Sequence, residues 1–218
     1  MSAKQLSFYQ TTLGKKVVMA ISGVILIGFV VGHMAGNLQI FLGQEKLDAY
    51  AEFLHSMPAL LWAARIVLLV SVFAHFISAF SLWKINKAAR PRGYARSVSQ
   101  ATTYAARTMR WGGVIVLLFI VYHLLHFTVG AVGQVEFGKV YQNVVTGFSD
   151  PLVAGFYILA QLCLGLHLYH GTWSLMQTLG LNHDKYNATR RKLAAGVSLL
   201  VTAGNISIPV AVLAKLIQ

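Results

Sequence analysis

Residues 118–129, LFIVYHLLHFTV, form an apolar run that contains two histidines, His123 and His126. An imidazole in an apolar setting costs free energy unless its nitrogens find a partner. The whole chain has the same character, because 56% of its 218 residues are hydrophobic and only 11% are charged. A soluble domain has about 25% charged residues. The run is therefore interpreted as part of a membrane-spanning helix, and its histidines as candidates for function.

Five windows in the chain reach the length of about 20 mostly apolar residues that a spanning helix needs. They predict an all-α bundle of five transmembrane helices at residues 17–35, 59–83, 111–132, 152–176 and 194–216. These windows and short connections use nearly the whole chain, so we expect a single transmembrane domain, 1–218. The apolar part of the first window is longer than the about 7–15 residues of a signal peptide and includes His33, so we expect it to be retained.

The positive charge of the chain predicts its orientation. A formal net charge of +12 raises the possibility of nucleic-acid binding. However, 14 of the 18 Lys and Arg residues precede span one, or lie between spans two and three or spans four and five. Because short basic loops stay in the cytoplasm, we expect a cytoplasmic N-terminus, an outside C-terminus and no nucleic-acid partner. The basic stretch 84–100, KINKAARPRGYARSVSQ, would contact anionic membrane lipid or dock a cytoplasmic partner.

Six of the eight histidines fall inside four of the spans, and intramembrane ionisable residues are functional candidates by default. They are His33, His75, His123, His126, His167 and His170. Depth follows from the helical rise of about 1.5 Å per residue, measured from the inner edge of each span. His33 and His123 then lie at an outer level, about 26 and 20 Å up, and His75 and His167 at an inner level of about 14 and 15 Å.

Two facing histidines at one depth can supply both axial ligands of a haem, so two levels in four helices predict two bis-histidine b-type haems. Covalent haem attachment would need a C-x-x-C-H motif, which the chain lacks. A zinc or copper site would suit three or four histidines at one depth. A di-iron centre would need carboxylates, and the spans contain none.

His126 and His170 each follow another histidine by three positions, which turns them about 60° around the helix axis. Only one member of each pair can face a given iron, and spacing alone does not choose between them. The other member either packs in the core or hydrogen-bonds a propionate, a carbonyl or a quinone.

Longer stretches around these histidines resemble a known family. They are GHMAGNLQIF (32–41), VFAHFISAFSLWKINKAARP (72–91), MRWGGVIVLLFIVYHLLHF (109–127) and GLHLYHGTWSLMQTLG (165–180). The chain resembles the single-chain, two-haem cytochrome b membrane subunit of succinate:quinone oxidoreductases, which include succinate dehydrogenases and fumarate reductases. The resemblance covers nearly the whole chain and is weakest in span five and the outer loops.

The resemblance implies a membrane anchor for an FAD flavoprotein and an iron–sulfur subunit on the cytoplasmic side of the bacterial cytoplasmic (inner) membrane. Electrons would pass between these partners and a membrane quinone, with menaquinone expected. The family pattern matches His33 and His123 for the distal haem, and His75 and His167 for the proximal haem. It thus favours His123 over His126, and His167 over His170.

The resemblance also directs attention to groups near the haem edges. Ser22, Arg110 and Trp111 are candidates for binding propionates at the inner edge. Family members have a quinone site near the distal haem at the outer face. Glu52 and His55 lie there, three residues apart, and on one face of a short helix a carboxylate beside an imidazole could relay protons. The alternative for both residues is an interfacial helix with solvated polar side chains.

Two other functions remain open from the sequence. The chain could be the cytochrome b subunit of a hydrogenase or formate dehydrogenase, which the co-purifying proteins would distinguish. It could instead be a haem-free, proton-coupled transporter, which would be colourless. Broken helices and internal repeats would favour a transporter, but Pro209 is the only mid-span proline and no clear repeat is visible.

Overall fold

Helices account for the regular structure in a computed structural model that describes residues 7–89, 103–133 and 135–218. No strand occurs within these ranges. The α-helices are α1 (Thr12–Asn37), α2 (Gln44–His55), α3 (Pro58–Ala88), α4 (Tyr104–Leu124), α5 (Val140–Ser149), α6 (Pro151–Thr178) and α7 (Asn187–Leu213). Short 3-10 turns lie at Phe8–Gln10, Leu38–Leu42 and Asp184–Tyr186, and a π-helical turn at Leu125–Val129 continues α4.

Five helical stretches are long and apolar enough to cross a membrane, which confirms the all-α class and the five spans. They are Thr12–Leu42, Pro58–Ala88, Tyr104–Val129, Pro151–Thr178 and Asp184–Leu213. Their limits differ from the predicted windows, most clearly in spans one, three and five. In spans three and five, polar and basic residues continue the helix beyond the apolar stretch at its N-terminal end. The third span stops at Val129 instead of 132, because Gly130 takes the left-handed conformation, with φ +70°.

The spanning helices pack in two groups. In the first group, α1 lies along α3, and in the second, α6 lies between α4 and α7. The α6–α7 contact is close at Gly165, whose carbonyl accepts a hydrogen bond of 2.7 Å from Ser198 Oγ. The backbones of α1 and α4, and those of α3 and α6, are not packed against each other within the described residues. The two groups meet where α1 contacts α6 and α7, and the paired histidine side chains lie between helices whose backbones stay apart.

One end of the bundle, the one expected to lie outside and called the outer end below, is capped by α2, α5 and the C-terminal residues. Ile40, Leu47 and Tyr141 are buried in this cap. The backbone N–H of Tyr141 donates to Asp48 Oδ1 at 2.9 Å, and its hydroxyl donates to the Gln218 carbonyl at 3.1 Å. The short helix considered around Glu52 and His55 is present as α2, whereas α5 was not predicted from the sequence.

The opposite end of the bundle carries most of the basic residues that the structure describes. There the Phe8–Gln10 turn folds back on α1 and α3, and Tyr9 Oη lies 3.3 Å from Ser78 Oγ. Lys15 is buried and donates to the Tyr9 carbonyl at 2.6 Å. Four cations of the predicted inner cluster, Lys4, Arg90, Arg92 and Arg96, lie outside the described residues.

Candidate functional site

The outer histidine pair joins the ends of α1 and α4. The ring centroids of His33 and His123 are 5.8 Å apart, and the ring planes are nearly perpendicular at 83°. His33 stacks on Phe29 of its own helix, with centroids 5.2 Å apart. An aromatic wall surrounds His123 and consists of Phe119, Phe127 and Tyr157. Phe119 and Phe127 lie four residues before and after His123, a spacing that places all three on one helix face, whereas the contact with Tyr157 of α6 is tertiary.

The inner histidine pair joins α3 and α6. The ring centroids of His75 and His167 are 6.1 Å apart, with an angle of 58° between the planes. His75 Nδ1 lies 3.0 Å from the Met19 carbonyl, and Ser22 Oγ is 3.3 Å away. Because a carbonyl only accepts, Nδ1 carries the proton and Nε2 keeps its lone pair. Such an Nδ1–H···O=C bond is the usual support of a metal-binding histidine.

The spacing of both pairs suits one metal ion held between two imidazoles. Two nitrogen–metal bonds of about 2 Å, and about 1.2 Å from each nitrogen to its ring centre, separate the centroids by about 6.4 Å. The observed separations are 5.8 and 6.1 Å. Among the described residues, no group of three or more His, Cys, Asp or Glu side chains converges on a point where it could hold a metal ion. The histidine side chains that could bind a metal therefore come together in pairs.

The surroundings of the rings leave room for a flat group. The Nδ1 atoms of His123 and His167 are buried without a hydrogen-bond partner among the described residues. A Cβ atom added at Gly28 or Gly32 would meet nothing within 4 Å, so these glycines do not serve close helix packing. Imidazole nitrogens that the protein leaves without a partner fit a planar cofactor such as haem. Gly36, by contrast, packs closely against Tyr50.

The three propionate candidates have different positions. Ser22 is buried next to His75 and donates its hydroxyl to the Val18 carbonyl at 2.8 Å. Trp111 is 76% exposed, but it lines, together with His167, a cavity of about 190 Å³ between α4 and α6. Arg110 is exposed and makes no hydrogen bond to a described residue. The structure thus brings Ser22 and Trp111 to the inner pair, but not Arg110.

His126 is turned away from the outer pair by the π-helical turn. Its ring is 4% exposed, stacks on Phe127 with centroids 4.0 Å apart, and shares a hydrogen bond of 3.0 Å between Nδ1 and the Tyr157 hydroxyl. The packed-core alternative therefore describes His126. His170 is half-buried and makes no hydrogen bond within the described part of the chain.

Glu52 and His55 are both exposed in the last turn of α2, at the outer end. His55 Nδ1 donates to the Ala51 carbonyl at 2.8 Å. The Glu52 carboxylate does not come within 4 Å of the imidazole, and the ion pair found among the described residues is instead Lys139–Glu136, at 2.6 Å. That contact raises the pKa of Lys139 through its hydrogen bond and charge interaction with Glu136.

Comparison with known proteins identifies the family. Residues 86–206 match the family described as the succinate dehydrogenase/fumarate reductase transmembrane subunit. This segment is more than half of the chain and includes α4, α5 and α6. No curated protein matches the chain. No solved structure matches it either. Members of the family are in general haem- and quinone-binding membrane subunits, and they associate with flavoprotein and iron–sulfur subunits. The chain therefore belongs to this family, as a membrane anchor subunit of a succinate dehydrogenase or fumarate reductase.

Proposed function

We propose that this subunit is a dihaem cytochrome b that passes electrons between an FAD flavoprotein–iron–sulfur pair and a membrane quinone. His33 and His123 would hold the distal haem b, and His75 and His167 the proximal one. The observation that carries the proposal is the meeting of these side chains in two pairs, each between one helix of the first group and one of the second, at spacings near that of two ligands on one metal.

Haem, when bound, supplies a one-electron centre, and the protein holds it and sets its potential. The Met19 carbonyl accepts from His75 Nδ1, which fixes the ring orientation and leaves Nε2 available as a ligand. At the outer pair, the apolar aromatic wall around His123 keeps water from that ring. Both effects act on the proposed ligand side chains, so substitutions of the residues that cause them can be used to test them.

Orientation and partners follow from the distribution of charge. We propose that the basic connections face the cytoplasm of a bacterium and that the anchor lies in its inner membrane. The flavoprotein and iron–sulfur subunits would dock on that face, because the chain itself has no flavin or iron–sulfur motif. Quinone, with menaquinone expected, would bind at the outer end near Glu52 and His55.

The test is a reduced-minus-oxidised spectrum of the purified complex together with its haem content. We expect b-type bands and two haems for each anchor subunit. A folded but colourless complex would refute both cytochrome functions and leave the proton-coupled transporter. A cytochrome b subunit of a hydrogenase or formate dehydrogenase would show the same haem bands but would have other partner subunits. Succinate oxidation or fumarate reduction by the co-purifying subunits therefore separates this proposal from that alternative.

A further inference from the structure

Each histidine of the inner pair lies against a glycine of the helix that packs beside its own. A Cβ atom added at Gly23 of α1 would lie 3.5 Å from His75 Cε1 and 3.7 Å from its Nδ1. A Cβ atom added at Gly113 of α4 would lie 3.6 Å from His167 Cε1 and 3.9 Å from its Nδ1. The same edge of each ring therefore faces the backbone of a neighbouring helix, at nearly the same distance.

The two helix pairs that make these contacts are built alike. A short helix, α2 or α5, precedes α3 and α6, and each of these two spanning helices begins with a proline, Pro58 or Pro151. In α1 and α4, a methionine lies four residues before the glycine and a histidine lies ten residues after it. These residues are Met19, Gly23 and His33 in α1, and Met109, Gly113 and His123 in α4. Each histidine pair thus joins equivalent residues of two similar halves, a repeat that becomes clear only in the structure.

The two halves differ in the hydrogen bonding of the inner histidine. His75 Nδ1 donates to the carbonyl of Met19, the residue four positions before Gly23. His167 Nδ1 is buried and has no hydrogen-bond partner among the described residues. The equivalent carbonyl on its side belongs to Met109, which lines the cavity of about 190 Å³ together with His167. The residue that would complete the pattern is therefore a neighbour of His167.

A glycine at this spacing exposes the carbonyl that precedes it. In an α-helix each side chain leans towards the N-terminus, so it covers the turn before its own Cα atom. A helical carbonyl uses one lone pair for the helical N–H and keeps a second. Because Gly23 and Gly113 have no side chain, the second lone pair of the carbonyl four residues earlier is open to an imidazole of the neighbouring helix.

We propose that Gly23 and Gly113 are positioning residues for the inner pair, and that the Met109 carbonyl accepts from His167 Nδ1 when Nε2 of this ring binds a metal. The inference rests on the proposed function, because it takes His75 and His167 as the ligands of the proximal haem. A bond from Nδ1–H to a carbonyl fixes the ring orientation and raises the basicity of Nε2. One such bond on each side makes the two imidazoles similar ligands.

A redox titration of the purified complex, with its partner subunits, tests both glycines. Gly23→Ala and Gly113→Ala each add a methyl group at ordinary contact distance from the ring, so both haems should be retained. Because the methyl group covers the carbonyl, the hydrogen bond weakens and the imidazole becomes a poorer donor to the iron. The midpoint potential of the proximal haem should therefore rise in each variant, and that of the distal haem should not change. His75→Ala, which should retain only the distal haem, assigns the two potentials.

Gly196 provides the matched control. It lies in α7, nine residues after Asn187 and hence about 14 Å up, near the depth of the inner pair. A Cβ atom there would meet nothing within 4 Å, so Gly196→Ala should change neither potential. Gly113→Val adds two further carbon atoms beside the ring, and we expect the loss of one haem of two. Gly196→Val should keep both haems.

Infrared spectroscopy tests the Met109 carbonyl without changing a glycine. In a complex labelled with ¹³C at the methionine carbonyl, oxidation of the proximal haem makes Nδ1–H a stronger donor and shifts the carbonyl band. The reduced-minus-oxidised spectrum should contain a labelled band that is lost in Met109→Leu, because the leucine carbonyl carries no label. This measurement replaces the titration if Gly113→Ala does not accumulate.

Three results would overturn the proposal. An unchanged proximal potential in both alanine variants would show that neither glycine controls a ligand. A shift in Gly23→Ala alone, or the absence of a band that depends on Met109, would show that this carbonyl does not accept from His167. An equal shift in Gly196→Ala would assign the effect to helix packing in general. An unsubstituted complex without b-type haem would instead refute the proposed function, so the two failures are distinguishable.

Discussion

Replacing His75 with alanine separates the two proposed haem sites. The inner pair takes His75 from α3 and His167 from α6, whereas the outer pair takes its rings from α1 and α4. No side chain belongs to both pairs. The substitution removes an imidazole together with its bond to the Met19 carbonyl, and leaves His167 alone at the inner level. The outer pair keeps both rings and its aromatic wall.

The expected loss is therefore one haem of two. Haem b in the purified complex should fall from about two to about one for each anchor subunit, and the b-type difference band should fall to about half. The assay is the pyridine haemochromogen content together with the difference spectrum, normalised to the co-purified iron–sulfur subunit. The remaining haem should titrate as a single component in a redox titration.

The matched control is His183→Ala. His183 lies exposed at the turn before α7, where its Nδ1 accepts from the Lys185 backbone N–H at 3.2 Å. This control should keep both haems, because it removes an imidazole far from either pair. Unchanged haem content in His75→Ala would refute His75 as a ligand. Loss of both haems from a complex that still holds its partner subunits would refute the independence of the two pairs.

Two further substitutions test the packing. Tyr157→Phe leaves the buried His126 Nδ1 without its hydrogen-bond partner, so we expect the free energy of unfolding to fall by about 1 kcal/mol. The measurement is the thermal unfolding temperature of the complex, and an unchanged temperature would show that this hydrogen bond does not stabilise the fold. Gly165→Ala directs a Cβ at the Thr202 hydroxyl across the α6–α7 contact, and should cost about 1–3 kcal/mol in the same assay. Gly155→Ala, where a Cβ meets nothing within 4 Å, is its control, and equal effects of the two would refute the close approach.

The family match covers only one histidine of each pair. Residues 86–206 include His123 and His167, but not His33 or His75. The other half of each pair, His33 of α1 and His75 of α3, lies outside the matched segment. Their proximity to His123 and His167 is a result of tertiary structure, and it joins the matched and unmatched halves of the chain.

The sequence by itself determined the membrane class, the five spans and the two levels of histidines. Hydropathy and position along a helix are local properties, since a fixed rise per residue turns a sequence separation into a depth. Span ends were less accurate, because polar residues continue α4 and α7 beyond their apolar parts.

The two histidine pairs were expected from depth and from the family resemblance, whereas the contacts that surround each ring depend on the tertiary structure. Helix packing and the π-helical turn at Leu125–Val129 leave His123 next to His33, and His126 next to Tyr157. Arg190 likewise reads as a loop cation in the sequence, yet it is buried over Trp173. The physical reason is that contacts between helices depend on the azimuth and packing of both partners, and neither is encoded within one apolar window.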